Sequence, residues 1–581
     1  MHYHGITKKI VERPLLGRQT SLTEINPVLK RIYLARGIKS DTELQYGLAQ
    51  LPSPWLLTGM EEMVTYLIAA LDLQKKIVIV ADFDADGATS CAVAILGLQL
   101  LGFKHVDFIV PNRFEYGYGL TPEITELVIA KQADVLITVD NGISSLAGVE
   151  VAKKAGMQVL VTDHHLPGEQ LPAADAIVNP NLPDDEFPSR ALAGVGVMFY
   201  VLMALRSRLR EQGWYIKNKL TEPNLAQLLD LVALGTVADV VALDQVNRIL
   251  VHQGLLRMRS GKGHAGIKAL VEIAGRNLHS LASSDLGFAI GPRLNAAGRM
   301  DDMSVGIQCL MSDDAVLAKN LALKMDELNS DRREVEGQMK QEAMSLLKEM
   351  KAFDAQHLAA GVCIYNEDWH QGVIGILASR IKDRLNRPVI AFANADNGEI
   401  KGSARSIPGV HIRDVLSDIA VAHPKVLTKF GGHAMAAGLS IQLHDYPVFM
   451  LAFDKAVKQR LVDVDLDQKV YSDGELTEGE MTLGFCELLK SAGPWGQEFP
   501  EPLFHGVFDV VQSRIVGQQH LKLVLRQAEK ELLVDGIAFF VEQPEYWLGL
   551  RQVKIAYKLD INEYNGQRSI QFIIDYIEKL A

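Results

Sequence analysis

The 581-residue chain has only four cysteines, and no two of them form a CxxC pair. Their wide separation argues against a disulfide framework or a CxxC-type zinc site and favours buried thiols in a reducing compartment. No uninterrupted apolar run approaches the ~18 residues that a membrane span requires. The first residues, MHYHGITKKIVERPLL, lack the apolar core of a signal peptide. We therefore expect a cytoplasmic protein without membrane contact.

The chain also lacks an excess of positive charge. Its net charge is −12, which argues against a protein that coats duplex DNA through bulk electrostatics. A nuclease remains compatible with this value, because carboxylates that hold metal ions count as negative although the bound cations reverse the local field. With 48% hydrophobic and 22% charged residues, the chain has the composition of an ordinary globular protein. Its length suggests roughly three to five domains.

The most informative segment is DFDADG at residues 82–87. It follows the strand-like apolar run 77–81 and precedes a helix-like run. Asp82, Asp84 and Asp86 stand at i, i+2 and i+4, and such carboxylates repel one another unless cations neutralise them. Hard oxygen ligands select hard divalent ions. Taken alone, the segment fits equally well an acidic turn that caps a helix, with Asp86 as N-cap.

Two later segments favour the metal site. The strand candidates 133–139 and 157–162 end in Asp140 and in the Asp-His-His triplet 163–165. Right-handed crossovers bring the carboxyl ends of successive parallel strands to one edge of a sheet, where open α/β sheets bind ligands. Asp239 lies inside a further apolar run, where a structural cap and a metal ligand are equally good explanations for a lone acid. Taken together, the four segments favour a metal site.

The series DFDADG, VDNG, TDHH and GTVADVV resembles the DHH phosphoesterase superfamily and, within it, bacterial exonucleases that degrade single-stranded DNA from the 5′ end. Further segments match in the same order: RFEYGYGL at 113–120, GPRLNAAGR at 291–299 and HQGVIGILASR at 370–380. GSARSIPG at 402–409 and FGGHAMAAGLS at 430–440 resemble the associated DHHA1 domain. The C-terminal segment fits this superfamily by position and pattern more than by motif.

The resemblance implies a centre of two divalent ions, Mn²⁺ or Mg²⁺, that hydrolyses phosphodiester bonds. An oxygen and imidazole ligand set without thiolate suits these ions better than structural zinc. The metal ligands implied are Asp82, Asp84, Asp86, Asp140, His164 and Asp239. The catalytic residues implied are Asp84, Asp140, Asp163, His164 and His165. Among these, we expect Asp163 to orient the site without binding metal, and His165 to donate a hydrogen bond to the scissile phosphate.

An exonuclease that starts at a 5′ end needs a pocket for the terminal phosphate, and forked arginines and backbone N–H groups suit that task. The resemblance and the motif glycines give as candidates Arg113, Arg293, Arg299, Arg380, Ser403, Arg405, Gly431, Gly432 and His433. Lys401 and Lys429 add positive charge beside the same motifs. A channel between the two α/β domains that admits one strand and rejects two is the expected source of single-strand specificity.

The pattern of elements predicts an α/β protein with two α/β units joined by a long helix and followed by a small β-barrel. The resemblance implies that the two units are a DHH domain with a parallel sheet and a DHHA1 domain, and that the barrel is OB-fold-like. The expected divisions are an N-terminal segment packing on the first domain (1–45), the DHH catalytic domain (46–310), the connecting helix (311–352), the DHHA1 domain (353–460) and the nucleic-acid-binding barrel (465–581). A coiled-coil dimer seam is an alternative for the connecting helix. Asn565-Gly566 predicts a hairpin in the barrel, for which any small β-barrel or sandwich is the alternative to an OB-fold.

These expectations combine into an exonuclease that degrades single-stranded DNA in the 5′-to-3′ direction, releases mononucleotides and serves recombination and DNA repair, including mismatch repair. The resemblance implies single-strand-binding protein and a helicase as partners, and we expect a monomer. One alternative is a phosphodiesterase of the same superfamily for short oligonucleotides or cyclic dinucleotides, whose members are typically shorter and lack the barrel. Another is an inactive scaffold in a replication assembly. Such scaffolds usually lose metal-site acids, which this chain retains.

Overall fold

The computed structural model describes residues 8–580 except 17–21, 23–24, 113–115, 117–118, 350–358, 428, 463, 465, 467, 528–530 and 565. The strands are β1 (Lys9–Glu12), β2 (Ile77–Ala81), β3 (Val106–Ile109), β4 (Val135–Val139), β5 (Gln158–Thr162), β6 (Ala176–Val178), β7 (Val362–Tyr365), β8 (Val389–Asn394), β9 (Glu399–Arg405), β10 (Lys429–Gly432), β11 (Ala436–Gln442), β12 (Lys469–Ser472), β13 (Phe504–Val516), β14 (His520–Gln527), β15 (Leu533–Ala538), β16 (Gln552–Tyr564) and β17 (Gln567–Lys579).

The helices are α1 (Pro27–Ala35), α2 (Met60–Asp72), α3 (Ala85–Leu100), α4 (Pro122–Ala130), α5 (Leu146–Lys154), α6 (Gly194–Glu211), α7 (Trp214–Asn218), α8 (Leu229–Ala238), α9 (Gln245–Arg259), α10 (Ala265–Ile273), α11 (Ser283–Asp285), α12 (Gly291–Met300), α13 (Ser304–Met311), α14 (Ala315–Glu349), α15 (Ile374–Leu385), α16 (Ile412–Ala422), α17 (Tyr446–Arg460) and α18 (Leu483–Ser491). In the part of the chain that the structure describes, none of these helices combines the length and the apolar character that crossing a membrane would require.

The chain divides into two compact units. The first unit comprises residues 15–329 and 487–501, and the second comprises residues 1–14, 330–486 and 502–581. The boundary at residue 330 falls inside α14, in the segment predicted to be a long connecting helix.

The first unit is built on a five-stranded parallel sheet in the order β3-β2-β4-β5-β6. Strands β2 and β4 are buried along their whole length, as a parallel sheet covered on both faces requires. Helices α4 and α5 pack on the sheet around Val80, Leu136 and Val149. This confirms the predicted parallel α/β fold, and β2 has the predicted bounds 77–81.

The strand order of this sheet has a switch point between β2 and β4. The chain leaves β2, runs through α3 to β3 on one side, and then passes to β4 on the other side of β2. Connections on the two sides diverge above the carboxyl ends of these two strands. In open α/β sheets that crevice is where ligands bind.

The second unit contains a mixed sheet in the order β10-β11-β9-β8-β7, with a core that includes Phe392, Leu416 and Phe449. It also contains a closed barrel in the order β13-β14-β15-β17-β16, in which only β15 and β17 pair in parallel. The closed barrel confirms the predicted OB-like fold. The hairpin of β16 and β17 lies where it was predicted, although Asn565 of its turn is outside the described residues.

Two segments belong to a different unit from the one expected from their place in the sequence. Strand β1 pairs in parallel with β12, so residues 9–12 belong to the second unit, whereas the whole segment 1–45 was expected on the first domain. Residues 487–501 belong to the first unit. There the ring centroid of Trp495 lies 5.1 Å from that of Phe499 and 6.1 Å from that of Tyr33. The pairing of β1 with β12 and the contact of Trp495 with Tyr33 join segments that are far apart in sequence, so no local pattern predicts them.

Candidate metal centre

The predicted metal-binding residues lie at the switch point of the parallel sheet. Asp82 follows β2, Asp140 follows β4, and Asp163 follows β5, each directly after the last strand residue. Since parallel strands place their carboxyl ends at one edge, three acids from distant segments meet there. Asp239 arrives from another direction, as the residue that ends α8.

The segment 82–87 turns directly from strand into helix. The Asp84 carboxylate accepts a hydrogen bond from the Gly87 N–H (3.0 Å) and thereby caps α3. Asp86 therefore lies within the first turn of α3 and is not the N-cap. A Cβ on Gly87 would lie 2.3 Å from the Asp82 carbonyl oxygen, so glycine is required for so tight a turn.

The structure brings all six predicted metal ligands together. Three groups of side chains have ligand atoms within 4.8 Å of one another: Asp82, Asp84 and Asp140; Asp86, His164 and Asp239; and Asp140, His164 and His165. Asp140 and His164 each belong to two of the groups. The groups therefore overlap in one continuous cluster, which we call the metal centre.

His164 provides a test of whether this cluster fits a cation. Its Nε2 lies 3.1 Å from Asp140 Oδ1, 3.5 Å from Asp239 Oδ2 and 4.0 Å from Asp86 Oδ2. This nitrogen is buried and makes no hydrogen bond to the described residues. Burial lowers the pKa of His164, which favours the neutral imidazole that binds metals. A buried ring nitrogen among three carboxylates, without hydrogen-bond geometry, fits a shared divalent ion.

The acids of the metal centre show the electrostatic cost of their proximity. Burial, followed by the charge of Asp239, raises the pKa of Asp86 to about 7. Burial and the charge of Asp84 likewise raise the pKa of Asp239 to about 7, and burial and the charge of Asp86 raise the pKa of Asp140 well above its usual range. Bound cations would reverse these effects. Carboxylate and imidazole ligands without thiolate suit Mn²⁺ and Mg²⁺.

Asp163 holds the two histidines that follow it. Its Oδ1 accepts hydrogen bonds from the backbone N–H groups of His164 (2.7 Å) and His165 (3.1 Å), and lies 2.7 Å from His165 Nδ1. Burial alone would raise the pKa of Asp163, but the hydrogen bond and charge of His165 hold it below its usual value. Burial alone would lower the pKa of His165, but Asp163 raises it to about 9. Both shifts favour an ionised carboxylate beside an imidazolium.

Three asparagines that sequence analysis did not identify hold the backbone of this centre. Asn141 Nδ2 donates to the carbonyl groups of Val80 (3.0 Å) and Val139 (2.9 Å), and so ties β2 to β4 at the switch point. Asn179 donates to the His165 carbonyl (2.9 Å) and Asn181 donates to the His164 carbonyl (2.6 Å). The only sequence signal for the latter two is the Asn-Pro-Asn that follows β6.

The amino end of α6 also contacts the metal centre. The N–H groups of Gly194 (2.7 Å) and Val195 (3.0 Å) donate to the two carboxylate oxygens of Asp86. A carboxylate at a helix amino terminus also interacts favourably with the helix dipole. A Cβ on Gly194 would lie 2.6 Å from Asp140 Oδ1, so only glycine allows α6 to approach this closely. Backbone donors leave no side-chain signal, and the sequence analysis missed them.

Of the predicted DNA-binding residues, Arg293 and Arg299 lie on α12 in the first unit. Arg293 Nε donates to Asp326 Oδ1 (2.8 Å) and its Nη1 donates to the Ala289 carbonyl (2.6 Å), so this side chain is held in place. Arg113 is outside the described residues.

The remaining predicted DNA-binding residues lie in the second unit: Arg380 on α15, Ser403 and Arg405 on β9, Gly431 and Gly432 on β10, and His433 just after it. Ser403 and Gly431 are both in register with Gly438 of β11, from its two sides. Arg405 Nη1 donates to Ser403 Oγ (3.0 Å). Arg380 pairs instead with Glu336 of α14 through a 3.0 Å contact. The sheet therefore brings a guanidinium, a hydroxyl and exposed backbone together, but not Arg380.

The fold and the metal centre define the class of this protein as a metal-dependent phosphoesterase of the DHH type. The model of the DHH family, N-terminal domain, matches residues 76–236, that of the DHHA1 domain matches residues 355–459, and that of the RecJ OB domain matches residues 472–576. The single-stranded-DNA-specific exonuclease RecJ of Escherichia coli (strain K12) is 52% identical over 95% of this chain and 96% of its own length. The chain belongs to the RecJ family of single-stranded-DNA-specific exonucleases.

Solved structures agree with this assignment. RecJ from Thermus thermophilus in complex with Mn²⁺ is 29% identical, covers 96% of this chain and 76% of its own, and superimposes with a TM-score of 0.79. The Mg²⁺ complex from the same organism is 28% identical, covers 96% and 75% of the two chains and has a TM-score of 0.72. The predicted fold, enzyme class and type of metal are confirmed. The roles of individual residues stay predictions.

Proposed function

We propose that this protein hydrolyses phosphodiester bonds of single-stranded DNA from the 5′ end, releasing mononucleotides, and that it serves recombination and repair, including mismatch repair. The observation that carries the hydrolytic part is the convergence of carboxylate and imidazole ligands at the switch point, with ligand atoms within 4.8 Å of one another in overlapping groups. Family membership and the three matched domains support DNA as the substrate.

The metal ligands are Asp82, Asp84, Asp86, Asp140, His164 and Asp239. When bound, a pair of Mn²⁺ or Mg²⁺ ions supplies charge neutralisation at the phosphate and a water of lowered pKa. His165 donates a hydrogen bond to the scissile phosphate, where negative charge grows as the bond to the leaving oxygen breaks. Asp163 keeps that ring protonated and oriented through the 2.7 Å contact at Nδ1. Asn181 keeps the peptide of His164 in place.

Recognition of the 5′ phosphate gives the enzyme its direction. In the second unit, the candidates are Arg405 and Ser403 beside the backbone of Gly431, Gly432 and His433. The resemblance of the sequence motifs adds Arg113, Arg293 and Arg299 as further candidates. A planar guanidinium forms two parallel hydrogen bonds with a phosphate, and backbone N–H groups add donors of fixed direction. Arg293 is already held by Asp326, so it loses little conformational freedom on binding. Arg380 is the weakest of the candidates, because its side chain is 58% exposed, against 11% for Arg293, and is therefore held less firmly by its own carboxylate partner, Glu336.

The hydrolytic proposal is tested with single strands labelled at either end and incubated with Mn²⁺. The wild-type protein is expected to release labelled mononucleotide at once from a 5′-labelled strand and only late from a 3′-labelled strand. Asp140→Asn is expected to lose at least about 1000-fold in kcat, because it removes a charge shared by two ligand groups. The matched control is Asp230→Asn, since Asp230 is also buried and also contacts a histidine (His264 Nδ1, 2.9 Å) but lies outside these groups. Early release from the 3′ end would contradict the proposed direction.

Phosphate recognition has its own test. Wild-type turnover is compared on strands with a 5′ phosphate and a 5′ hydroxyl, and Arg405→Ala is expected to reduce the preference for the phosphate about tenfold or more. Arg387→Ala is the control, because Arg387 lies in the same unit and donates to the adjacent Asn386 carbonyl (2.8 Å), outside the predicted phosphate-binding residues. If Arg405→Ala kept the wild-type preference for a 5′ phosphate over a 5′ hydroxyl, Arg405 would not be part of the phosphate site. Turnover on dinucleotides, compared with long strands, separates this function from that of a short-oligonucleotide phosphodiesterase.

The proposal includes partners and location. We place the protein in the cytoplasm as a monomer, where a helicase supplies single strands and single-strand-binding protein coats them. All four cysteines are buried free thiols, in keeping with a reducing compartment. Light scattering after gel filtration gives the mass, and a dimer would contradict the monomer. Blunt duplex is expected to resist digestion until a helicase is added, and its rapid degradation by the pure protein would refute the dependence on a helicase.

A further inference from the structure

Helix α12 packs against the backbone of the metal-binding segment 82–87. Asn295 Oδ1 accepts a hydrogen bond of 2.9 Å from the Ala85 N–H, across 210 residues of sequence. One turn later on the same helix, a Cβ on Gly298 would lie 1.8 Å from the Phe83 carbonyl oxygen. Residues three apart share one face of a helix. That face of α12 therefore meets two successive parts of the segment, one through a hydrogen bond and one through close backbone contact.

The Ala85 N–H is a donor that its own helix cannot satisfy. Ala85 is the first residue of α3, and the first N–H groups of a helix have no intrahelical partner. The Asp84 side chain satisfies Gly87 (3.0 Å), not Ala85. Ala85 is 1% exposed, so water is a poor substitute. Asn295 thus supplies the missing part of the cap of α3.

The peptide held in this way connects Asp84 to Ala85 and is one of the two peptides between the metal ligands Asp84 and Asp86. Rotation of this peptide plane would change the direction of the Asp84 carboxylate and would shift the first turn of α3, which carries Asp86. We propose that Asn295 is a positioning residue for the metal centre: by accepting the Ala85 N–H it fixes the spacing of Asp84 and Asp86 at which divalent ions bind. Asn295 itself belongs to none of the three groups of ligand side chains. The inference rests on the proposed metal centre but not on the direction of DNA degradation.

This role differs in a measurable way from a contribution to folding alone. A structural role would lower the unfolding temperature of the metal-free protein and leave the affinity for Mn²⁺ unchanged. A positioning role lowers the affinity itself, because partners that orient metal ligands typically contribute about 10–100-fold to metal affinity. It also predicts partial recovery of kcat when Mn²⁺ is raised to saturation.

The experiment compares Asn295→Leu with Asn295→Asp in the full-length protein. Leu has a similar volume without an acceptor, whereas Asp keeps an acceptor oxygen where Asn295 Oδ1 stands. Mn²⁺ binding is measured by titration calorimetry, the metal-free unfolding temperature by circular dichroism, and kcat on a 5′-phosphorylated single strand across a range of Mn²⁺ concentrations. We expect Asn295→Leu to bind Mn²⁺ about tenfold more weakly or worse, and Asn295→Asp to bind within about threefold of the wild type.

Asn26→Leu is the matched control. Asn26 Oδ1 also accepts a backbone N–H at 2.9 Å, that of Val28 at the start of α1, and lies outside the groups of the metal centre. This variant is expected to lower the unfolding temperature without changing Mn²⁺ affinity. If Asn295→Leu does not fold, Asn295→Ser, whose hydroxyl is too short to reach Ala85, takes its place with the same expectation. Wild-type Mn²⁺ affinity in the Leu or Ser variant, or an Asp variant as weak as the Leu variant, would overturn the inference. Failure of the wild-type protein to bind Mn²⁺ would instead refute the proposed metal centre.

Discussion

Replacing Gly194 by alanine should inactivate the enzyme while leaving it folded. A Cβ at this position would lie 2.6 Å from Oδ1, 2.7 Å from Cβ and 2.8 Å from Cγ of Asp140. Gly194 cannot easily retreat, because it begins α6 and its N–H donates to Asp86 at 2.7 Å. The strain is therefore relieved chiefly by displacement of the Asp140 side chain, which belongs to two ligand groups of the metal centre.

The expected loss of activity follows from the place of Asp140 in two ligand groups. Restoring ordinary contact distances requires a shift of roughly 1 Å, and a misplacement of about 1 Å can cost about 100-fold in rate. We thus expect kcat/KM on single-stranded DNA to fall about 100-fold, equivalent to about 2.7 kcal/mol. The free energy of unfolding should fall by no more than about 3 kcal/mol, which leaves most of the protein folded. Overpacking costs about 1–3 kcal/mol, and alanine recovers up to about 1 kcal/mol relative to glycine through its helix propensity.

The assay is release of nucleotides from a labelled single strand, together with calorimetric Mn²⁺ titration and urea unfolding. Gly196→Ala is the control, because a Cβ there would lie 2.6 Å from Leu192 Cδ1, the movable end of an apolar side chain. That variant perturbs packing two residues along the same helix but should keep activity within about twofold. If Gly194→Ala retained more than half of the wild-type kcat/KM with normal Mn²⁺ affinity, the close approach of α6 would have no part in positioning Asp140.

Three further outcomes are expected. Asn181→Ala removes the 2.6 Å hydrogen bond to the His164 carbonyl and should lower kcat about tenfold without weakening the binding of the DNA strand. Equal losses in kcat and in affinity for the strand would contradict this prediction. Trp495→Ala removes an aromatic stack and should lower the free energy of unfolding by about 2–4 kcal/mol in urea, with Mn²⁺ affinity unchanged. Lys131→Met removes the 2.6 Å partner of Asp107, whose pKa burial alone would raise but Lys131 holds below its usual value. Because this pair is largely exposed, the loss should be under about 1 kcal/mol at pH 7. It should vanish as the pH falls through the lowered pKa of Asp107, and a loss that does not decrease as the pH is lowered through the acid range would refute the assignment.

The sequence predicted those parts of the fold and site whose signals are local. Strand β2 and the acid that follows it could be read from one apolar run and its end, and the same holds for β4 with Asp140 and β5 with Asp163. Parallel topology then required these acids to meet. Asp239 was harder, because it ends a helix instead of a strand, and a lone acid after an apolar run does not distinguish a cap from a ligand.

The remaining features depend on contacts between distant segments that no residue pattern marks. The Gly194 N–H reaches Asp86 across 108 residues, and Asn295 reaches Ala85 across 210. An asparagine that accepts a remote N–H looks in sequence like any other asparagine. Strand β1 pairs with β12, and its Ile10 packs in the same apolar cluster as Val470 of β12, but a four-residue strand does not indicate its partner in the sequence.

The charge of the metal centre explains why the acids were predicted from sequence and the groups that hold them were not. The hydrogen bonds that orient Asp84 and Asp86 come from the backbone N–H groups of Gly87, Gly194 and Val195. Such donors fix the direction of a carboxylate without neutralising it, whereas a lysine or arginine in the same place would compete with a divalent ion for its charge. The raised pKa of Asp86 follows from this arrangement, because burial and neighbouring acids act on a group whose orienting partners carry no full charge. Five of the six proposed ligands are carboxylates, which are visible in sequence, whereas most groups that position them are backbone N–H groups and asparagine side chains, which sequence reading overlooks.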